Sequence, residues 1–243
     1  MAVQTISFQE NDFKDMEKYK KAKEVQEIVD FIFEINKKKR PLYMAHLCNF
    51  ARKSYNITNA KKFLVLENTS IGHSKKQKRL QLLINNLVEA ARTKKYDETI
   101  TVDDNLKRLR GSICELFIEK CLLCRYESEE VHCNSIVLFD GIQYTHSNKC
   151  SPSTLDNIGW NNSLHSGEFY ECKTQAKKLV NEKPSKFYFL VSLRKELNNR
   201  GVNAVVAVAS LDNEHICKKT LNRNHIVYIP FMKLLDVKSK RPA

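Results

Sequence analysis

Phe169-Tyr170-Glu171-Cys172-Lys173-Thr174-Gln175 is the stretch on which the fold reading turns. Aromatic residues, Thr and Cys dominate it and Gly167 stands just ahead, which is strand composition. Side chains on a strand alternate between faces. Glu171, Lys173 and Gln175 therefore share one face, and Tyr170, Cys172 and Thr174 the other. A second carboxylate, Asp156, lies upstream in the strand-like segment Thr154-Leu155-Asp156-Asn157-Ile158-Gly159-Trp160.

Turn residues, Asn161-Asn162-Ser163 and then Ser166-Gly167, separate the two segments and make them neighbours in a sheet. Two carboxylates on adjacent strands suit a hard divalent cation, and a lysine beside them suits the positioning or deprotonation of a water. That is the chemistry of phosphodiester hydrolysis. Taken singly, Glu171 and Lys173 read as an exposed cross-strand pair and Asp156 as a turn residue. Asp140, in Phe139-Asp140-Gly141, rivals Asp156 but has the context of a tight turn. Trp160 reads as core rather than as a base-stacking residue.

Outward from this pair, the second half of the chain mixes strands and helices. Residues 135–139, 153–160 and 168–175 read as strands, 185–199 as a helix, 202–211 as a fully buried strand and 226–229 as a last strand before a tail helix. Helical periodicity fills the first half, over residues 13–35, 42–55, 75–94 and 102–125, with 59–67 ambiguous. The fold class is therefore α/β, a central mixed sheet flanked by helices, with a helical N-terminal region. The expected division is a basic helical region over 1–100 and a sheet-bearing core over 101–243.

The formal net charge is +13. Residues 1–110 carry 23 Lys/Arg against 14 Asp/Glu, and 111–243 carry 18 against 14. The excess thus gathers away from the paired carboxylates. A basic face attracts polyanions, and phosphate contacts dominate nucleic-acid affinity. Four cations, Lys75, Lys76, Lys78 and Arg79, open one helix against its macrodipole, and phosphate binding is one reason for them. The chain has no apolar run of about 18 residues and no secretory leader pattern, so a cytoplasmic protein with no membrane contact is expected. Its eight cysteines fit a reducing compartment. Cys121, Cys124, Cys133 and Cys150 leave a structural zinc site as an open alternative.

Asp156, the Glu171-Cys172-Lys173 triplet and Glu115 in Gly111-Ser112-Ile113-Cys114-Glu115-Leu116-Phe117, in this order of elements, resemble the PD-(D/E)xK nuclease superfamily. The resemblance covers residues 102–230. Leu155 stands where many members have proline and Asn157 where an apolar residue is usual. The resemblance implies a restriction-endonuclease-like core and a Mg²⁺-dependent endonuclease acting on DNA, with Mn²⁺ able to substitute. It implies that Asp156, Glu171 and the backbone carbonyl of Cys172 ligate the metal. Lys173 would orient the attacking water, Glu115 would serve a second metal or a metal-bound water, and Gln175 would contact the scissile phosphate. A role in restriction or another anti-phage defence follows, as a homodimer or beside a separately encoded helicase/ATPase or methyltransferase. No nucleotide-binding loop is present, so any motor must be another chain. The rival readings are a non-catalytic nucleic-acid-binding module on the same fold and a ribonuclease.

Overall fold

The structure is a computed structural model that describes residues 5–11, 14–35, 38–68, 74–146, 153–182, 184–211 and 216–230. The chain forms two compact units, Phe13–Phe117, and Met1–Asp12 together with Ile118–Ala243. The division falls inside a helix rather than at residue 100, and the first residues belong with the later unit. The expected tail helix and Cys150 lie outside the described residues.

The first unit is helical. It contains α1 (Lys14–Lys20), α2 (Lys23–Glu34), α3 (Arg40–Lys53), α4 (Ile57–Asn68), α5 (Lys75–Arg92) and most of α6 (Val102–Leu123). The expected stripes face inward: Val25, Ile28, Val29 and Ile32 of α2 and Leu80, Ile84, Leu87 and Val88 of α5 are buried. The single helix expected over 13–35 is broken at Ala22, whose backbone is extended (φ −57°, ψ 129°). No Gly or Pro marks that break. Gln26 Nε2 donates to the Lys20 carbonyl at 2.8 Å, and the buried Tyr19 hydroxyl donates to Asn105 Oδ1 at 3.1 Å, so tertiary contacts fix it. The ambiguous stretch 59–67 is helical, because Asn56 Oδ1 accepts from the Asn59 amide at 2.9 Å and starts α4. Ser74 and Gln77 form a capping box at the start of α5.

The second unit is built on a seven-stranded mixed sheet. Its strands are β1 (Ile6–Glu10), β2 (Val131–Phe139), β3 (Ile142–Gln143), β4 (Leu155–Asn161), β5 (Ser166–Lys173), β6 (Asn203–Ser210) and β7 (Val227–Pro230), with α7 (Ala176–Glu182), α8 (Pro184–Asn199) and α9 (Ile216–Arg223) between the later ones. The order is β1-β2-β4-β5-β6-β7, with β3 paired to β2. Pairing is antiparallel from β1 to β5 and parallel from β5 to β7. The described part of the protein is thus α/β, a mixed sheet flanked by helices. The N-terminal region is helical apart from β1, a strand the sequence pattern did not reveal. Its five residues hold only Ile6 and Phe8 as an alternating signal, and its stability comes from pairing with β2 and from the Phe8 ring against His132, Trp160 and Phe169. Asp140 and Gly141 have φ of 53° and 81°, a primed hairpin turn into β3, so Asp140 is a turn residue.

The main core of this unit holds Ile158, Trp160, Phe169, Val206 and Val208 of the sheet with Leu190, Leu193 and Leu197 of α8. Trp160 is therefore core, as expected. The buried run Val206 to Leu211 gives β6 the all-apolar character of a central parallel strand. β4 and β5 approach closely through two glycines. A Cβ at Gly167 would stand 2.6 Å from the Gly159 carbonyl oxygen and 2.7 Å from Trp160 Cε3. A Cβ at Gly159 would stand 2.6 Å from the Tyr126 ring. The first obstacle is backbone and cannot move without opening the ladder. Gly167→Ala is therefore expected to lower unfolding free energy by about 2 kcal/mol or more, as overpacking does. Urea denaturation checks it, as a fall in midpoint with an unchanged slope.

Candidate active site

β4 and β5 run antiparallel with Asn157 opposite Tyr170, so the next pair outward is Asp156 and Glu171. The Cys172 amide donates to Asp156 Oδ2 at 2.6 Å and ties the two strand ends together. On its other side β5 runs parallel to β6, with Glu171 opposite Val208 and Lys173 opposite Ser210. The start of β4 and the carboxyl ends of β5 and β6 therefore share one sheet edge. Carboxyl ends of strands beside crossover helices are the usual place for a ligand in such sheets.

Lys173 Nζ is the centre of the arrangement. It donates to Glu171 Oε1 and, at 2.9 Å, to the Cys172 carbonyl, and it stands 3.8 Å from Asp156 Oδ2. Three oxygens thus surround one cation position. A second ammonium was not anticipated. Lys186, in the first turn of α8, places Nζ 2.9 Å from Glu171 Oε2 and donates to the Thr154 carbonyl. Glu171 thus has a second counter-ion, at its other oxygen. The missed signal was positional: a lysine just after Pro184 at a helix start opposes the macrodipole and calls for a nearby anion.

Glu171 is only 3% exposed, so its charge depends on these partners. Burial pushes its carboxyl up, but the attraction of Lys173 and Lys186 outweighs that and holds it below the ordinary glutamate range. Burial acts first on Asp156 too, and the neighbouring Glu171 charge adds to it, so its carboxyl is pushed above the ordinary aspartate range against the pull of both lysines. Burial alone would lower the Lys173 ammonium; Glu171 and Asp156 outweigh it and raise it. One carboxylate is thus firmly ionised and the other strained in its ionised form.

Asp156, Glu171, Lys173 and the Cys172 carbonyl are brought together as expected from the sequence. The Cys172 thiol points away from them, 3.6 Å from Asn157 Nδ2. Gln175 is a correction: β5 ends at Lys173, so Gln175 lies past the strand, half-buried just ahead of α7, and does not share the face of Glu171. Glu115 is a buried residue of α6 within the helical unit. On the opposite sheet face Glu168 is held by Arg125 Nη2 at 2.8 Å, Tyr126 Oη at 3.1 Å and Tyr170 Oη at 2.5 Å. That carboxylate is consumed by structure and steadies β5 from behind. For the zinc alternative, Cys121 is buried and Cys124 exposed, and no three His, Cys, Asp or Glu side chains among the described residues form a metal-binding group.

No family and no curated protein matches this sequence. Among solved structures the chain is similar to Can2 from Sulfobacillus thermosulfidooxidans in complex with cyclic tetra-adenylate, at 15% identity and a TM-score of 0.40, over 94% of this chain and 57% of that one. The chain thus spans a little over half the length of Can2, and a likeness that loose bears on neither substrate nor chemistry.

Asp156 makes a pH-dependent contribution of unusual sign. Its folded-state proton affinity is above that of the unfolded chain, so its ionised form weakens folding above the folded-state pKa, and that penalty vanishes below the unfolded one. Asp156→Asn keeps an acceptor for the Cys172 amide and removes the charge. In chelator at neutral pH the variant is expected to be more stable than the parent. The gain should disappear as pH falls through the acidic range. Urea unfolding at a series of pH values reads it directly.

Proposed function

We propose that this protein is a divalent-metal-dependent endonuclease that hydrolyses phosphodiester bonds in DNA. The observation that carries the reading is the convergence of Asp156 Oδ2, Glu171 Oε1 and the Cys172 carbonyl on one point, which the Lys173 ammonium fills. All three are hard oxygen donors, and a carboxylate-plus-carbonyl set with room for water and phosphate suits Mg²⁺, with Mn²⁺ as substitute. When bound, the metal supplies Lewis-acid polarisation of the phosphate and a more acidic water.

The chain's own residues do the rest. Asp156 and Glu171 hold the cation seat, and the Cys172 carbonyl completes it. Lys173, released from those oxygens, orients the attacking water and offsets the charge that builds on the phosphate. No step uses Glu115. The helical unit carries 23 Lys/Arg against 13 Asp/Glu, most of the chain's net +13. Its exposed Lys75, Lys76 and Lys78 at the start of α5 serve DNA backbone phosphates. No helix among the described residues is long and apolar enough to cross a membrane. The setting that goes with this chemistry is a cytoplasmic restriction or other anti-phage system, with a homodimer making the two cuts of a duplex. A helicase/ATPase or a methyltransferase on a separate chain is the fitting partner.

One observation favours the non-catalytic rival. Asp156 and Glu171 are balanced by Lys173 and Lys186, so the cluster is neutral without a metal. A nucleic-acid-binding module on this fold could keep it as a structural ion-pair group.

Cleavage of duplex, single-stranded, branched and RNA substrates with Mg²⁺ separates these readings. Glu171→Gln and Lys173→Ala are expected to lose cleavage by about 10²-fold or more, the scale of a removed general acid-base or charge-stabilising group, while binding DNA normally. Unaltered cleavage by both variants, or none by the parent on any substrate, sinks the assignment. Separately, Lys75→Gln, Lys76→Gln and Lys78→Gln combined should reduce the slope of log affinity against log salt by about 2–3, since each phosphate no longer neutralised removes about 0.9. An unchanged slope would remove the helical unit from DNA binding.

A further inference from the structure

Lys186 is a buried-edge ammonium with no place in the chemistry just described. Its two contacts are unlike each other. To Thr154 it donates a hydrogen bond at a carbonyl oxygen, and to Glu171 Oε2 it stands as a counter-ion at 2.9 Å. The first contact is neutral and does not depend on what binds at Glu171. The second is the kind of attraction that a divalent cation on the same carboxylate displaces, because a double charge at a metal-ligand distance outweighs a single ammonium. Its position in the first turn of α8, where the helix dipole already disfavours a cation, means that an anion must hold it there when no metal does. The ring of Phe189 lies 5.5 Å from Nζ and adds a weak attractive surface on the same helix.

We infer that Lys186 is an exchangeable counter-ion of the metal seat: it neutralises Glu171 in the metal-free protein and yields that carboxylate when a divalent cation binds. Thr154 then keeps the ammonium at the rim, free to meet a substrate phosphate. Lys186 is thus a positioning residue that sets how tightly the seat takes its metal. The inference rests on the metal-site reading above, and it deepens that reading by naming a second ammonium, besides Lys173, that competes with the cation for Glu171.

The test is Mn²⁺ binding by isothermal titration calorimetry on the full chain, paired with thermal unfolding in chelator and in saturating Mn²⁺. Lys186→Met removes the competing charge. It is expected to bind Mn²⁺ about tenfold more tightly, to have a lower Tm than the parent in chelator, and to recover the parental Tm in saturating Mn²⁺. Lys186→Arg should behave as the parent. A merely structural lysine gives the opposite sign, since losing it would disorder Glu171 and weaken metal binding. Unchanged or weaker Mn²⁺ binding by folded Lys186→Met overturns the inference. Should that variant fail to fold, Lys186→Gln, which retains a donor for the Thr154 carbonyl, is judged by the same criterion. Failure of the underlying reading looks different: the parent and Glu171→Gln would then bind Mn²⁺ alike or not at all.

Discussion

A carboxylate buried to 3% exposure at a sheet edge is the constraint around which the second unit is organised. Removing an ion of that size from water costs several kcal/mol even after relaxation, and the cost is offset only by close opposite charge. Glu171 finds that charge twice, in Lys173 on its own strand and in Lys186 on α8. Meeting the second partner requires the chain to leave β5 promptly and bring the first turn of α8 back over the strand end. The parallel crossover from β5 to β6 provides that return. The crossover and the charge cluster are therefore one feature. Without the crossover, Glu171 would keep only its partner on β5.

The cluster is balanced in sign but not in comfort. Asp156 lies across from Glu171, and two like charges at a buried edge raise each other's proton affinity. Asp156 balances the second lysine, yet the balance leaves its own charge penalised. The Cys172 amide that Asp156 accepts from would be served as well by an uncharged acceptor. An ionised group held where its charge is penalised is a pattern that functional sites share.

The elements read well from sequence are those whose signal is local. α5 shows its apolar stripe, β6 its unbroken apolar run, and β5 its aromatic alternation, and each appears where expected. The elements missed have no such signal. β1 is five residues long and depends on β2 for its pairing; α7 and α9 are seven and eight residues, too short for a helical period to emerge. The break at Ala22 has no breaker residue and is fixed by Tyr19 and Gln26. At the site, Asp156, Glu171 and Lys173 were legible because strand alternation places side chains reliably over two residues. Gln175 was misplaced because alternation was extended past the point where β5 stops. Lys186 was invisible because its partner lies on another element, and only its discord with the helix dipole hinted at it.

The site draws on three segments, near residues 154–156, 171–173 and 186, joined across a change from antiparallel to parallel pairing. β5 lends its end to both neighbours: it meets the beginning of β4 on one side and the end of β6 on the other. Only at such a strand do an early carboxylate and a late one come face to face on one edge. The unfolded chain holds these groups far apart and has no seat for a cation. Any metal affinity of the site is then affinity for the folded state alone, and metal concentration enters folding stability directly through mass action. The two lysines share the charge of Glu171 in the folded chain.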